Sequence, residues 1–218
     1  MPTLDEFLRL AQPLAHQGAL ALSALLVAAM LIFSDWRLVL LAFAGVEVLA
    51  GVLLVELLPP EWALLQWIVG GLMGVMWYLA ARRVDTVRRR QMGVPWWRPD
   101  WRFNPSTYMR MALIIFLLAL LSLWRPTPAL PKLPADLARF AAFLALAGLL
   151  GLGLGDRPLR WGVSLALWIL AVSFPIHALQ VDAATVGLLG SLQILLGFAI
   201  SYLIIVDGAR FWIDPEDA

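Results

Sequence analysis

Seven apolar blocks, each about 17–24 residues long and separated by short polar breaks, constrain this chain more than any other feature. A block of roughly 20 apolar residues matches the roughly 30 Å hydrocarbon core of a bilayer. In lipid every backbone amide must find its partner internally, so each block is predicted to be helical. Composition agrees: 62% of the residues are hydrophobic and 14% charged, against about 25% charged in soluble domains. Mean hydropathy is +0.84. The expected fold class is all-α, a polytopic transmembrane helix bundle of about seven spans.

The predicted spans are 17–34, 37–58, 61–82, 108–124, 136–154, 159–179 and 183–206. Their breaks have physical causes. Ser34-Asp35-Trp36-Arg37 and Gly155-Asp156-Arg157-Pro158 are tight polar turns. Pro59-Pro60-Glu61 stops one helix, and Pro60 suits the first turn of the next. Residues 125–134 hold four prolines and no apolar run. Before the first span, Thr3 and Glu6 fit a capping box, followed by Leu4, Phe7, Leu8 and Leu10. Residues 1–16 are therefore expected to lie on the membrane surface as an amphipathic helix ended by Pro13. Asp5 and Glu6 stand where a signal peptide would carry its basic region, so no cleavable leader is expected.

Charge sets the expected orientation. The segment 83–107 and its borders carry Arg82, Arg83, Arg88, Arg89, Arg90, Arg98, Arg102 and Arg110 against Asp85 and Asp100. A loop so rich in arginine is expected on the cytoplasmic side. Seven spans then place the N-terminus outside and the tail, 207–218, inside. Arg37, Arg157, Arg160 and Arg210 fall inside and agree; Arg125, Lys132 and Arg139 fall outside and dissent. Asp35-Trp36-Arg37 and Asp156-Arg157-Pro158 each open a pair of spans, and these reach Gly70-Gly71 and Gly190-Ser191 respectively. The separation is about 120 residues in both cases. Residues 17–82 and 136–206 are thus expected to be parallel three-helix units. The extra span at 108–124, followed by an external loop at 125–135, restores the orientation between them.

Glu47 is the leading candidate for chemistry. It sits mid-span in Leu41-Ala42-Phe43-Ala44-Gly45-Val46-Glu47-Val48-Leu49. A carboxylate at that depth costs several kcal/mol, roughly, unless it is protonated, paired or facing water. An acid that changes protonation inside the bilayer is what a proton relay needs; the plain alternative is a protonated acid bonded to a neighbouring helix for packing. Gln66 and Gln193, in the third and seventh spans, are expected either as its partners or as interhelical hydrogen-bond glue. Glu56 and Glu61 flank the outer turn. They line an ion path or are simply solvated carboxylates, as are Asp182 and His177. Gly70 and Gly74, like Gly151 and Gly155, form small-xxx-small pairs that let helices approach.

Arg88, Arg89 and Arg90, with Trp96, Trp97 and Trp101, are expected to touch lipid headgroups as an interfacial aromatic and basic belt. Docking of a peripheral subunit is the second reading. Nucleic acid is not an expected partner. The chain has no cysteine, which excludes disulfides and cysteine-held iron–sulfur clusters. His16 and His177, both near span ends, do not suit a bis-histidine haem. There is no phosphate-binding glycine loop, zinc-ligand spacing or Ser–His–Asp set. No catalytic centre, metal or cofactor is expected.

The stretch from Asp35 to Arg83 resembles the K-type small membrane subunit of respiratory complex I. It is also similar to the C-type subunit of multisubunit sodium/proton antiporters. The matching elements are the turn Trp36-Arg37, the span centred on Gly45-x-Glu47, and the following span ending in Tyr78-Leu79-Ala80-Ala81-Arg82-Arg83. Component E of membrane-bound group four hydrogenases is a longer protein of similar type. The resemblance implies a membrane subunit of a proton- or sodium-translocating complex, working beside other membrane subunits, with Glu47 in the proton pathway. The second unit departs from the pattern, with Leu167 and Trp168 where the glutamate would stand. The alternatives are a stand-alone small transporter or channel and a membrane scaffold or assembly protein without transport. An intramembrane lipid enzyme is more distant.

Overall fold

The computed structural model describes residues 17–92, 105–123, 132–180 and 182–213. These contain seven α-helices: α1 Gln17–Ile32, α2 Trp36–Leu54, α3 Pro60–Met92, α4 Pro105–Leu123, α5 Ala135–Leu154, α6 Pro158–Leu179 and α7 Ala183–Ile213. Each expected apolar block is one helix. The surface helix expected at 1–16 lies outside the described residues.

Local chemistry accounts for the helix ends. The Asp35 carboxylate accepts from the Arg37 backbone N–H at 2.9 Å and caps α2. That satisfies one of the amides a helix start leaves unpaired. Pro60 and Pro158 open α3 and α6, where a missing N–H costs nothing.

Two boundaries differ from the expected ones. The segment 83–107 is not a loop throughout, because α3 continues unbroken to Met92 and runs for 33 residues. Likewise α7 extends through the first part of the expected tail to Ile213. Leaving the bilayer does not end a helix; only a breaker does, and Arg, Gln and Met are good helix formers. Along the α3 extension, Arg89 Nε donates to both Asp85 oxygens at 2.8 and 2.9 Å, one turn away. This is a favourable i,i+4 pair.

α2, α3, α5, α6 and α7 are long and apolar enough to cross a membrane, while α1 and α4 carry shorter apolar stretches. Large apolar side chains face outward, among them Leu41, Ile115, Phe116, Leu188, Leu195 and Phe198, each more than 60% exposed. A soluble protein would bury such residues; a bilayer solvates them. The chain is an integral, multi-pass membrane protein built as a transmembrane helix bundle.

Neighbours in the bundle come in matched sets. α1 packs on α2 and α5 on α6; α2 packs on α3 and α6 on α7. Across the two groups, α1 meets α5, α2 meets α6 and, most extensively, α3 meets α7. α2 and α6 are the enclosed helices, each with 61% of its apolar window buried, against 33% for α3 and 28% for α7. The core accordingly joins Phe43, Val46, Ala50, Met73 and Trp77 to Leu144, Ala166, Leu167, Leu170 and Phe174. α4 packs chiefly on α1 and α5.

Candidate functional site

Glu47 occupies the α2–α3 interface and is 3% exposed. Its placement follows from the helical period: Phe43, Val46, Ala50 and Leu54, all buried, share its face of α2. Across the interface Gln66 Nε2 donates to Glu47 Oε2 at 3.0 Å. The other oxygen, Oε1, is buried without a partner. One residue on, Trp67 Nε1 donates to the Val48 carbonyl at 3.0 Å. Two adjacent side chains of α3 thus reach back to two adjacent residues of α2.

Glycines make the room. A Cβ at Gly70 would sit 2.7 Å from Glu47 Oε2 and 2.8 Å from its Cδ. A Cβ at Gly51 would collide with the Trp67 indole. Gly45, two residues before the acid, admits Leu26 of α1, whose Cδ1 would lie 2.8 Å from an added Cβ. The expected Gly70/Gly74 pair therefore splits. Gly70 cradles a carboxyl, whereas a Cβ at Gly74 would meet nothing within 4 Å.

Gln193 is 1% exposed, and its Oε1 is buried without a partner. It lies on α7 between Gly190, whose added Cβ would touch Val69, and Gly197, whose added Cβ would press on Met76 and Met73. Gln193 therefore faces α3 from the α7 side, while Gln66 faces α2. Of the two glutamines expected near the acid, Gln66 is bonded to it and Gln193 is not. Nearby, Trp77 Nε1 donates to the Gly197 carbonyl at 3.1 Å, and its ring lies 5.2 Å from that of Phe43.

Glu56 and Glu61 sit at the α2–α3 turn and are exposed, so they are not brought to Glu47. His177, expected among the outer solvated groups, is 4% exposed with Nδ1 buried and unpartnered. Nothing in the local sequence marks it, because its burial comes from the helices around α6.

The opposite end of the bundle gathers the arginines. Arg89 is 7% exposed and turned onto Asp85, and Asp85 also pairs with Arg37 at 3.5 Å. Arg88 and Arg89 line a cavity of about 160 Å³ with Asp35, Asp85, Arg157 and Asp207. Arg89 thus points into the bundle end rather than outward. Arg90 follows on the same helix; Trp96, Trp97 and Trp101 lie outside the described residues. No group of three or more metal-ligating side chains occurs among the described residues.

The chemistry available at the centre is that of one acid held in an apolar bundle, with one oxygen fixed and one uncommitted. No family model, curated protein or solved structure matches the chain.

Proposed function

We propose that this chain is a membrane subunit of a proton- or sodium-translocating assembly, of complex I, hydrogenase or antiporter type, in which Glu47 is the protonatable relay. One observation carries the reading. Glu47 is buried at mid-span with Oε2 held by Gln66 and Oε1 unpartnered. A side chain kept only for packing would be expected to satisfy both oxygens, because a buried polar atom without a partner costs about 1–3 kcal/mol. An uncommitted oxygen is what a relay offers to an arriving proton or to a water that delivers one. Gln66 orients the carboxyl, and Gln193 is a second polar group along the same core. In this reading the arginine-bearing end faces the cytoplasm and the two three-helix groups are parallel repeats.

The test is Glu47→Gln in the assembled complex purified from native membranes. Gln keeps the shape and the bond to Gln66 but cannot exchange a proton. At least a tenfold loss of ion pumping is expected, with the complex intact. Unchanged pumping sinks the proposal.

A further inference from the structure

We propose that Glu47 exchanges its proton with the end of the bundle opposite the arginines, by way of Gln66, and that Phe43, Met73 and Trp77 seal it from the arginine end. This rests on the reading of Glu47 as a relay and adds the side from which the relay is served.

One strip of α3 carries both halves of the arrangement. Gln66, Met73 and Trp77 are spaced by seven and then four residues, close to two turns and one further turn, so they share a face of the helix. That face looks into the bundle. Gln66 donates to Glu47 of α2, while Trp77 lies against Phe43 of α2 and donates to the Gly197 carbonyl of α7. Exposure along the strip is uneven: Met73 and Trp77 are 0% exposed, whereas Gln66 is partly open. Because the strip faces neighbouring helices, Gln66 is reached along the core from the near end of α3 and not from the lipid. About 9 Å of helix separates it from Pro60, where α3 begins. Glu56 and Glu61, exposed on either side of that start, are the carboxylates that gather protons at this mouth.

The way to the arginine end is closed. About 18 Å of chain, at helical rise, separates Glu47 from Asp35. Phe43, one turn from Glu47, is 0% exposed and lies ring to ring with Trp77 at 5.2 Å. Leu167 and Leu170 of α6 belong to the same core. Phenyl, thioether and leucine side chains carry no exchangeable hydrogen, and an apolar layer of this kind excludes water. The one N–H in the layer, on the Trp77 indole, is committed to the Gly197 carbonyl. α7 runs parallel to α3, with Gly190 at Val69, Gly197 at Met73 and Gly208 at Val84, so Gln193 stands on the Glu47 side of the layer. The cavity of about 160 Å³ at the arginine end is bounded by Ala81, Val84, Leu159 and Ile204 on its apolar walls. Ala81 is one turn past Trp77, so water entering from the arginines stops at the indole.

The chain has no cysteine, so single cysteines report access directly. The full chain is reconstituted in lipid vesicles, and a small charged methanethiosulfonate is added to one side at a time. Arg83→Cys and Glu61→Cys mark the two ends. Gln66→Cys is expected to react from the side that labels Glu61→Cys, at least tenfold faster than Met73→Cys or Phe43→Cys reacts from either side. Should Gln66→Cys fail to fold, the unaltered chain decides: a water-soluble carbodiimide with an amine, added to one side, should label Glu47 only from the end opposite the arginines. Reaction of Gln66→Cys or Glu47 from the arginine end or from neither end, or Met73→Cys as fast as Gln66→Cys, overturns the proposal. Labelling does not depend on pumping. A failure here therefore leaves the relay reading standing, and unchanged pumping in Glu47→Gln leaves the access path standing.

Discussion

Two positions 120 residues apart, one in each three-helix group, are buried with different chemistry. Glu47 on α2 and Leu167 on α6 are 120 residues apart in sequence, and each is almost fully enclosed, at 3% and 1% exposed. Both belong to the helices that are most buried in the bundle. A leucine serves the α6 position, so a bundle of this shape does not demand an acid there. The glycines tell the same story. Gly70 cannot carry a methyl group without displacing the Glu47 carboxyl, whereas Gly190, 120 residues on, faces α3, where a methyl would only touch Val69 at 3.6 Å. At Gly70, α3 is fitted around a carboxyl of α2; at Gly162, α6 is fitted around Ile200 of α7, a hydrocarbon. The difference teaches that Glu47 is carried at a cost which packing alone does not explain.

The harshest way to test this contrast is to place an acid on the hydrocarbon side. Val186 stands 120 residues after Gln66, so the sequence offers Leu167→Glu no equivalent amide donor. The substitution should lower stability by more than about 3 kcal/mol, through an unpaired polar group and lost leucine packing. Chemical unfolding in detergent micelles measures it, and a loss below 1 kcal/mol, roughly, would erase the contrast. The opposite exchange, Glu47→Leu, should leave the unfolding midpoint unchanged or higher, since apolar replacement of a buried polar group is often neutral or stabilising. A marked fall in midpoint would make the acid a packing element after all. Gly70→Ala should cost about 2 kcal/mol by overpacking, while Gly190→Ala should stay within about 0.5 kcal/mol. Adding Glu47→Ala should relieve most of the Gly70→Ala penalty, giving a coupling energy readable from a double-mutant cycle. The smallest effect concerns the contact between the groups. Trp77→Phe removes the bond to the Gly197 carbonyl and should cost about 0.6 kcal/mol, typical of hydrogen bonds between membrane helices.

Much of the bundle was legible from local pattern. Apolar runs, proline breaks and the Asp35 cap each act within a few residues, so the helices could be placed before their neighbours were known. Glu47 stood out for the same reason, as a charge inside an apolar run. What sequence could not supply was direction. Gly70 and Gly74 look equivalent four residues apart, yet one cradles a carboxyl and the other faces open space. Gln66 and Gln193 are alike as polar intruders, yet they face different helices. Arg110 and Arg160 read as markers of orientation; their shared contact with Asp156 exists only once α4 meets the turn between α5 and α6. The unbroken run of α3 past Arg82 is not legible in the sequence, because charge ends the apolar run without ending the helix.

That continuity has a mechanical consequence. At 1.5 Å per residue, the 33 residues of α3 form one stiff rod about 50 Å long. Gly70 and Gln66 grip the carboxyl at one level of the rod, and Asp85, tied to Arg37 and Arg89, is gripped at another. The two levels share one axis and one helical phase. A twist imposed where the arginines emerge must also turn the cradle around Glu47, so torque applied at the surface of the bundle is delivered at its centre.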